Sequence, residues 1–121
     1  MGDLSSGGPD LDDLKSCLSD LEDVVTTFSE LIDEMEAVDR ASQASRVSQK
    51  FHQLVTDLRQ NCDRFRRDVA DYRTILMAEE TLWSASELEE AYSNLTDQIL
   101  KIRQYVMLSE KVFLRFLREE I

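Results

Sequence analysis

After Pro9 the chain contains neither glycine nor proline, because all three glycines fall at Gly2, Gly7 and Gly8. These two residue types cost a helix interior the most, roughly 1 and 3 kcal/mol relative to alanine, and they supply most of the tight turns of sheet proteins. A chain without such punctuation is expected to be all-α. Its apolar residues recur at steps of three and four in three successive segments. That periodicity predicts a coiled-coil-like helical bundle of three long helices, over about residues 10–39, 45–83 and 86–120. Residues 1–9 read as a flexible N-terminus, and 10–121 as a single helical-bundle domain, since 121 residues can fill one core but not two.

The first segment is the most regular. Leu11, Leu14, Leu18, Leu21, Val25, Phe28, Ile32 and Met35 form an unbroken seam for a facing helix. The second stripe runs through Val47, Phe51, Leu54, Leu58, Cys62, Phe65, Val69, Tyr72 and Leu76, with a doubled step of four at Leu58. Such a stutter locally unwinds a supercoil, which a short bundle tolerates better than a long rod. The third stripe comprises Leu88, Tyr92, Leu95, Ile99, Ile102, Val106, Phe113 and Phe116. Two capping boxes compete for its start, Ser84 with Glu87 and Ser86 with Glu89, and the second is the expected one. The segment 39–45 is expected to turn the chain. Helix 2 is expected to reach Trp83 and then either reverse or fuse with helix 3 into one rod.

Charge is distributed unevenly within a net of −11. Asp10 to Asp39 holds eleven carboxylates and one base, Lys15, whereas Arg46 to Arg73 holds seven bases and four acids. An acidic strip folded back on a basic one selects partner and direction; each exposed pair adds only ~0.2–1 kcal/mol. The cluster Arg64, Arg66 and Arg67 is the expected counterpart of the first helix. The overall charge opposes nucleic-acid binding and adhesion to anionic membrane. No apolar run approaches the roughly 20 residues of a bilayer span, and the first ten residues lack the parts of a signal peptide, so an intracellular, cytoplasmic protein is expected. Nuclear or cytoskeletal association is the alternative. Met1-Gly2 with Ser6 matches the loose myristoylation pattern, but the acids that follow disfavour anionic lipid.

Chemistry finds little purchase. The single histidine, His52, adjoins the seam residue Phe51 and reads as the edge of a helix contact. Cys17 and Cys62 have no metal-ligand spacing and read as free thiols of a reducing compartment. No glycine-rich phosphate loop or Glu-x-x-His is present. Hence no catalytic, cofactor-binding or metal-ligating residue is assigned, and neither a cofactor nor a small-molecule substrate is expected.

The far end of helix 3 is different. Its apolar residues occupy several faces, too many for one partner helix, and Lys111, Arg115 and Arg118 divide the run against membrane insertion. Val106, Leu108, Val112, Phe113, Phe116 and Leu117 are the candidate interface. They point to a non-enzymatic interaction or scaffold subunit that assembles with other helical chains, either a different protein or a second copy. The alternatives are a self-contained three-helix adaptor recognising a short peptide motif, and a membrane-proximal adaptor. Length and heptads are similar to those of three-helix repeats of the spectrin kind, without a shared motif that would carry any residue across. Circular dichroism should show helix for most residues and negligible strand; a sheet signature would contradict the all-α fold.

Overall fold

The computed structural model describes residues 8–42, 46–78 and 82–120, apart from the side chains of residues 46–48 and 120. The expectations for residues 1–7, including the myristoylation pattern and most of the flexible N-terminus, lie outside the described residues, as does the side chain of Val47. Three helices follow one another: α1 (Leu11–Ala41), α2 (Arg46–Ala78) and α3 (Ala85–Glu120). Among the described residues there is no strand. Each helix spans about 45–55 Å at 1.5 Å per residue.

Helix starts are set by side chains that take up the otherwise unpaired first N–H groups. Asp10 caps α1: its Oδ1 accepts from the Asp13 N–H at 2.8 Å, and Asp13 Oδ2 accepts from the Asp10 N–H at 3.0 Å. Pro9 therefore stands just outside the helix rather than in its first turn. At α3 the chain uses Ser84 and Glu87. The Ser84 N–H donates to Glu87 Oε1 at 2.9 Å and the Glu87 N–H donates to Ser84 Oγ at 3.1 Å. Those bonds, to the Ser84 backbone first, hold the Glu87 carboxyl below the usual carboxylate range. The expected Ser86–Glu89 box is not the one formed. With Ser84 as cap, Trp83 and Leu88 occupy the two positions of a hydrophobic staple, and both pack against the core. A cap at Ser86 would place only Ala85 before it. Helix α2 accordingly ends at Ala78, short of Trp83, which lies in the connection.

The chain reverses at both connections. Glu22 meets Arg73, Ser29 meets Arg66 and Asp39 meets His52, so α2 runs antiparallel to α1. Cys17 meets Thr96 and Phe28 meets Tyr105, so α3 runs parallel to α1. The continuous rod is thereby excluded. Helix α1 packs along both neighbours, whereas α2 and α3 approach each other in backbone at few points. Side chains bridge that wider gap. Phe28, Phe65 and Tyr105, one from each helix, form a mid-bundle triangle with ring centroids 5.7–6.3 Å apart. Near one end Phe51 stacks on Phe116 with centroids 4.0 Å apart.

Every seam residue of α1 from Leu14 to Met35 is buried. In α2 Val55 is buried and Leu54 only partly covered, so the core stripe steps 51, 55, 58, 62, 65 and 69 in alternating fours and threes, and the doubled step expected at Leu58 is not formed. The ion pairs join the helices expected to meet, through residues other than the expected cluster. Arg59 donates to Glu36 and Asp33, and Arg73 to Glu22. Arg66 donates to the buried Ser29 hydroxyl at 2.7 Å, while Arg64 and Arg67 are exposed. Position on the helix decides this: 59, 66 and 73 repeat every seven residues and border the α1 contact. Phe28 is fully buried and belongs to the triangle that ties all three helices together. Phe28→Ala should therefore lower unfolding free energy by about 3–5 kcal/mol in a urea titration; a loss below 1 kcal/mol would refute that role.

Candidate interaction surface

The candidate interface residues divide between two faces of α3. Phe116 is buried, stacked on Phe51, and Phe113 is half-buried with its ring 6.0 Å from the same side chain. Val106 and Leu117 are half-buried as well. Leu108 and Val112 are exposed. The structure thus brings Phe113 and Phe116 together as internal packing, and leaves Leu108 and Val112 available on the outside. Phe51 opposite them is what draws the two phenylalanines inward.

The outer face of α3 carries more apolar surface than those two. Leu100, Met107, Leu108 and Leu114 are 52 %, 57 %, 61 % and 55 % exposed, on the side of the helix away from Leu95, Ile102 and Phe116. Leu100 and Met107 lay outside the expected interface. Their signal was a heptad, Leu100–Met107–Leu114, one helical face away from the core stripe. A scattered exposed leucine needs no explanation, but four large apolar side chains along one helix face forgo about 1.5–3 kcal/mol of burial each.

Three concavities border α3. Between the start of α2 and the end of α3, a groove of about 180 Å³ has Phe51, Leu54, Val112 and Phe116 as its floor and Lys50, Arg115 and Glu119 at its rim. Among the described residues Lys50, Lys111, Arg115 and Arg118 form no ion pair, unlike Arg59 and Arg73, which α1 engages. At the opposite end, Tyr72, Leu76, Trp83, Glu87, Glu90 and Leu95 surround a cavity of about 220 Å³. The indole Nε1 of Trp83 is buried there without a hydrogen-bond partner. These two volumes fall below the roughly 300–1,000 Å³ of most small-molecule sites, whereas a third concavity, of about 350 Å³ and bordered by Lys111, Val112, Arg115 and Arg118, lies at the low end of that range.

The reactive side chains are engaged in packing. His52 Nδ1 lies 2.6 Å from Asp39 Oδ2, an exposed ring against a nearly covered carboxylate at the edge of the α1–α2 contact. Cys17 and Cys62 are free and buried. Burial pushes both thiols up from their ordinary value, although Arg66 and Arg59 partly offset this at Cys62. Among the described residues no group of three His, Cys, Asp or Glu side chains is arranged to hold a metal ion. Nor, among them, is any helix long and apolar enough to cross a membrane.

Compared with known proteins, the chain matches no family model, no curated protein and no solved structure.

Because only the thiolate attacks disulfide reagents, both cysteines should be inert in the native state. Ellman's reagent should titrate them slowly in buffer and immediately in denaturant. Rapid reaction of either thiol in the folded protein would contradict its placement in the core.

Proposed function

We propose that this chain is a non-enzymatic interaction subunit, a scaffold or adaptor element that assembles with a helical chain through the outer face of α3. The observation that carries this reading is the exposed apolar row Leu100, Met107, Leu108 and Leu114, set on a helix whose opposite face already fills the core. A helix apolar on both sides in a water-soluble assembly buries its second side against something. Lys101 and Lys111 interrupt the row and disfavour a lipid surface as that cover. The two buried, unpaired thiols suit a reducing intracellular compartment. The net charge of −11 speaks against nucleic acid as the partner.

A second reading, recognition of a short peptide motif, is favoured by the groove floored by Phe51 and Val112. It differs in placing the contact between α2 and α3 rather than on the outside of α3.

Amine-reactive crosslinking of the tagged chain in its own host should join Lys101 and Lys111 to another polypeptide. Met107→Asp with Leu108→Asp should remove those crosslinks and reduce the assembled molar mass while leaving helicity unchanged. Unaltered assembly in that variant would refute the α3 interface. Loss of assembly only on Phe51→Ala or Val112→Asp would shift the contact to the groove.

A further inference from the structure

The outer face of α3 carries a second ordered pattern, in its charges. A line of steps of three and four runs from Glu90 through Gln104 to Arg118, and every residue on it is exposed. The line has three chemical blocks. Its start is acidic, with Asp97 and, at the edge of the Trp83 cavity, Glu90; its middle carries Leu100, Met107 and Leu108 with Lys101 among them; its end is basic, with Lys111 and Arg118. These blocks are mirror-placed about Gln104. Leu100 and Leu108 lie equally far from it, as do Asp97 and Lys111, and again Glu90 and Arg118.

We propose that the partner of α3 is α3 of a second copy of this chain, docked antiparallel about a two-fold axis that passes by Gln104. The proposal rests on the reading of this face as an interaction surface and names its occupant. An isologous contact places each residue against its mirror position. Leu100 then meets Leu108 of the other copy, twice. Asp97 meets Lys111 and Glu90 meets Arg118, also twice each. Gln104 meets itself, and two amide side chains can each donate to and accept from the other. A polar residue at such a seam fixes register at some cost in stability. Parallel docking would instead set Asp97 against Asp97 and Lys111 against Lys111.

The acid-first, base-last order also complements the helix macrodipole, but that effect fades within the first and last turns. Asp97 and Lys111 lie well inside α3, which runs from Ala85 to Glu120. Within one helix these two are about 21 Å apart, too far to pair with each other. Their complementarity is usable only between helices. A chain of net charge −11 repels its own copies in general, so self-association requires a local patch without net negative charge, and this face, with Glu90 and Asp97 against Lys101, Lys111, Arg115 and Arg118, supplies one. The acidic helix α1 packs on the opposite side of α3 and does not enter the contact.

The test is sedimentation equilibrium of the full chain over a concentration series at low salt. The wild type should approach twice its 14.0 kDa monomer mass. Asp97→Lys and Lys111→Glu should each weaken dimerisation by about tenfold, since each turns two attractive pairs repulsive. The double variant should return to within about threefold of the wild type, because the swapped charges again face each other. Circular dichroism should show equal helicity throughout. A wild type that stays monomeric overturns the proposal, and so does a double variant as weak as the single ones. A monomeric chain whose Lys101 and Lys111 crosslink to a different polypeptide overturns self-docking and leaves the interaction surface standing. Loss of all crosslinks removes both.

Discussion

The bundle depends on α1 being covered from two sides at once. Its seam from Leu14 to Met35 is buried throughout, and no single helix can enclose a stripe that wide. Helices α2 and α3 each lie along α1 and come close to one another mainly through Phe65–Tyr105 and Phe51–Phe116. One residue, Phe28, touches both flanking helices through ring contacts. The molecule is thus an α1-centred sandwich, and two consequences follow. The gap between α2 and α3 leaves a shallow groove at one end and a small cavity at the other. Among the described residues nothing covers the outer side of α3, where Leu100, Met107, Leu108 and Leu114 are exposed.

Charge acts on this frame by selecting direction. Arg59, Arg66 and Arg73 repeat every seven residues along α2 and meet Glu36, Ser29 and Glu22 in reverse order along α1. Two opposite-charge pairs with an arginine–hydroxyl bond between them, in that sequence, suit only the antiparallel arrangement. Their partial exposure keeps their contribution to stability small, so the core supplies most of the free energy and the arginines mainly exclude the wrong pairing. Among the described residues the α3 bases Lys111, Arg115 and Arg118 form no such pair. Their location beside exposed apolar side chains makes that end of the molecule chemically unlike the rest of an acidic protein.

Packing has absorbed the groups on which catalysis could be built. Cys17 and Cys62 are core residues whose thiols burial keeps protonated, and His52 is held against Asp39 far along the bundle from Cys17. Among the described residues the largest exposed apolar surface on one helix face is that of α3, and the interface proposed above rests on it.

The sequence by itself determined the all-α class, the three apolar helical segments, the α1 seam residue by residue, and which two helices would pair by charge, while leaving open whether the second and third segments fuse. These are local properties: backbone propensity and 3.6-residue periodicity need no knowledge of neighbours. It also showed that the end of α3 has more apolar side chains than one partner could cover. Tertiary structure alone decided which of them were spent. Phe113 and Phe116 became core because Phe51 stands opposite, and Leu54 gave way to Val55, which keeps the α2 stripe in regular alternation from Phe51 through Leu58 to Val69. The choice of Ser84 over Ser86 as a cap was likewise settled by Trp83 and Leu88 reaching the core. Periodicity records that a helix has a second apolar face; only the positions of its neighbours, which depend on contacts distant in sequence, reveal which face remains in water.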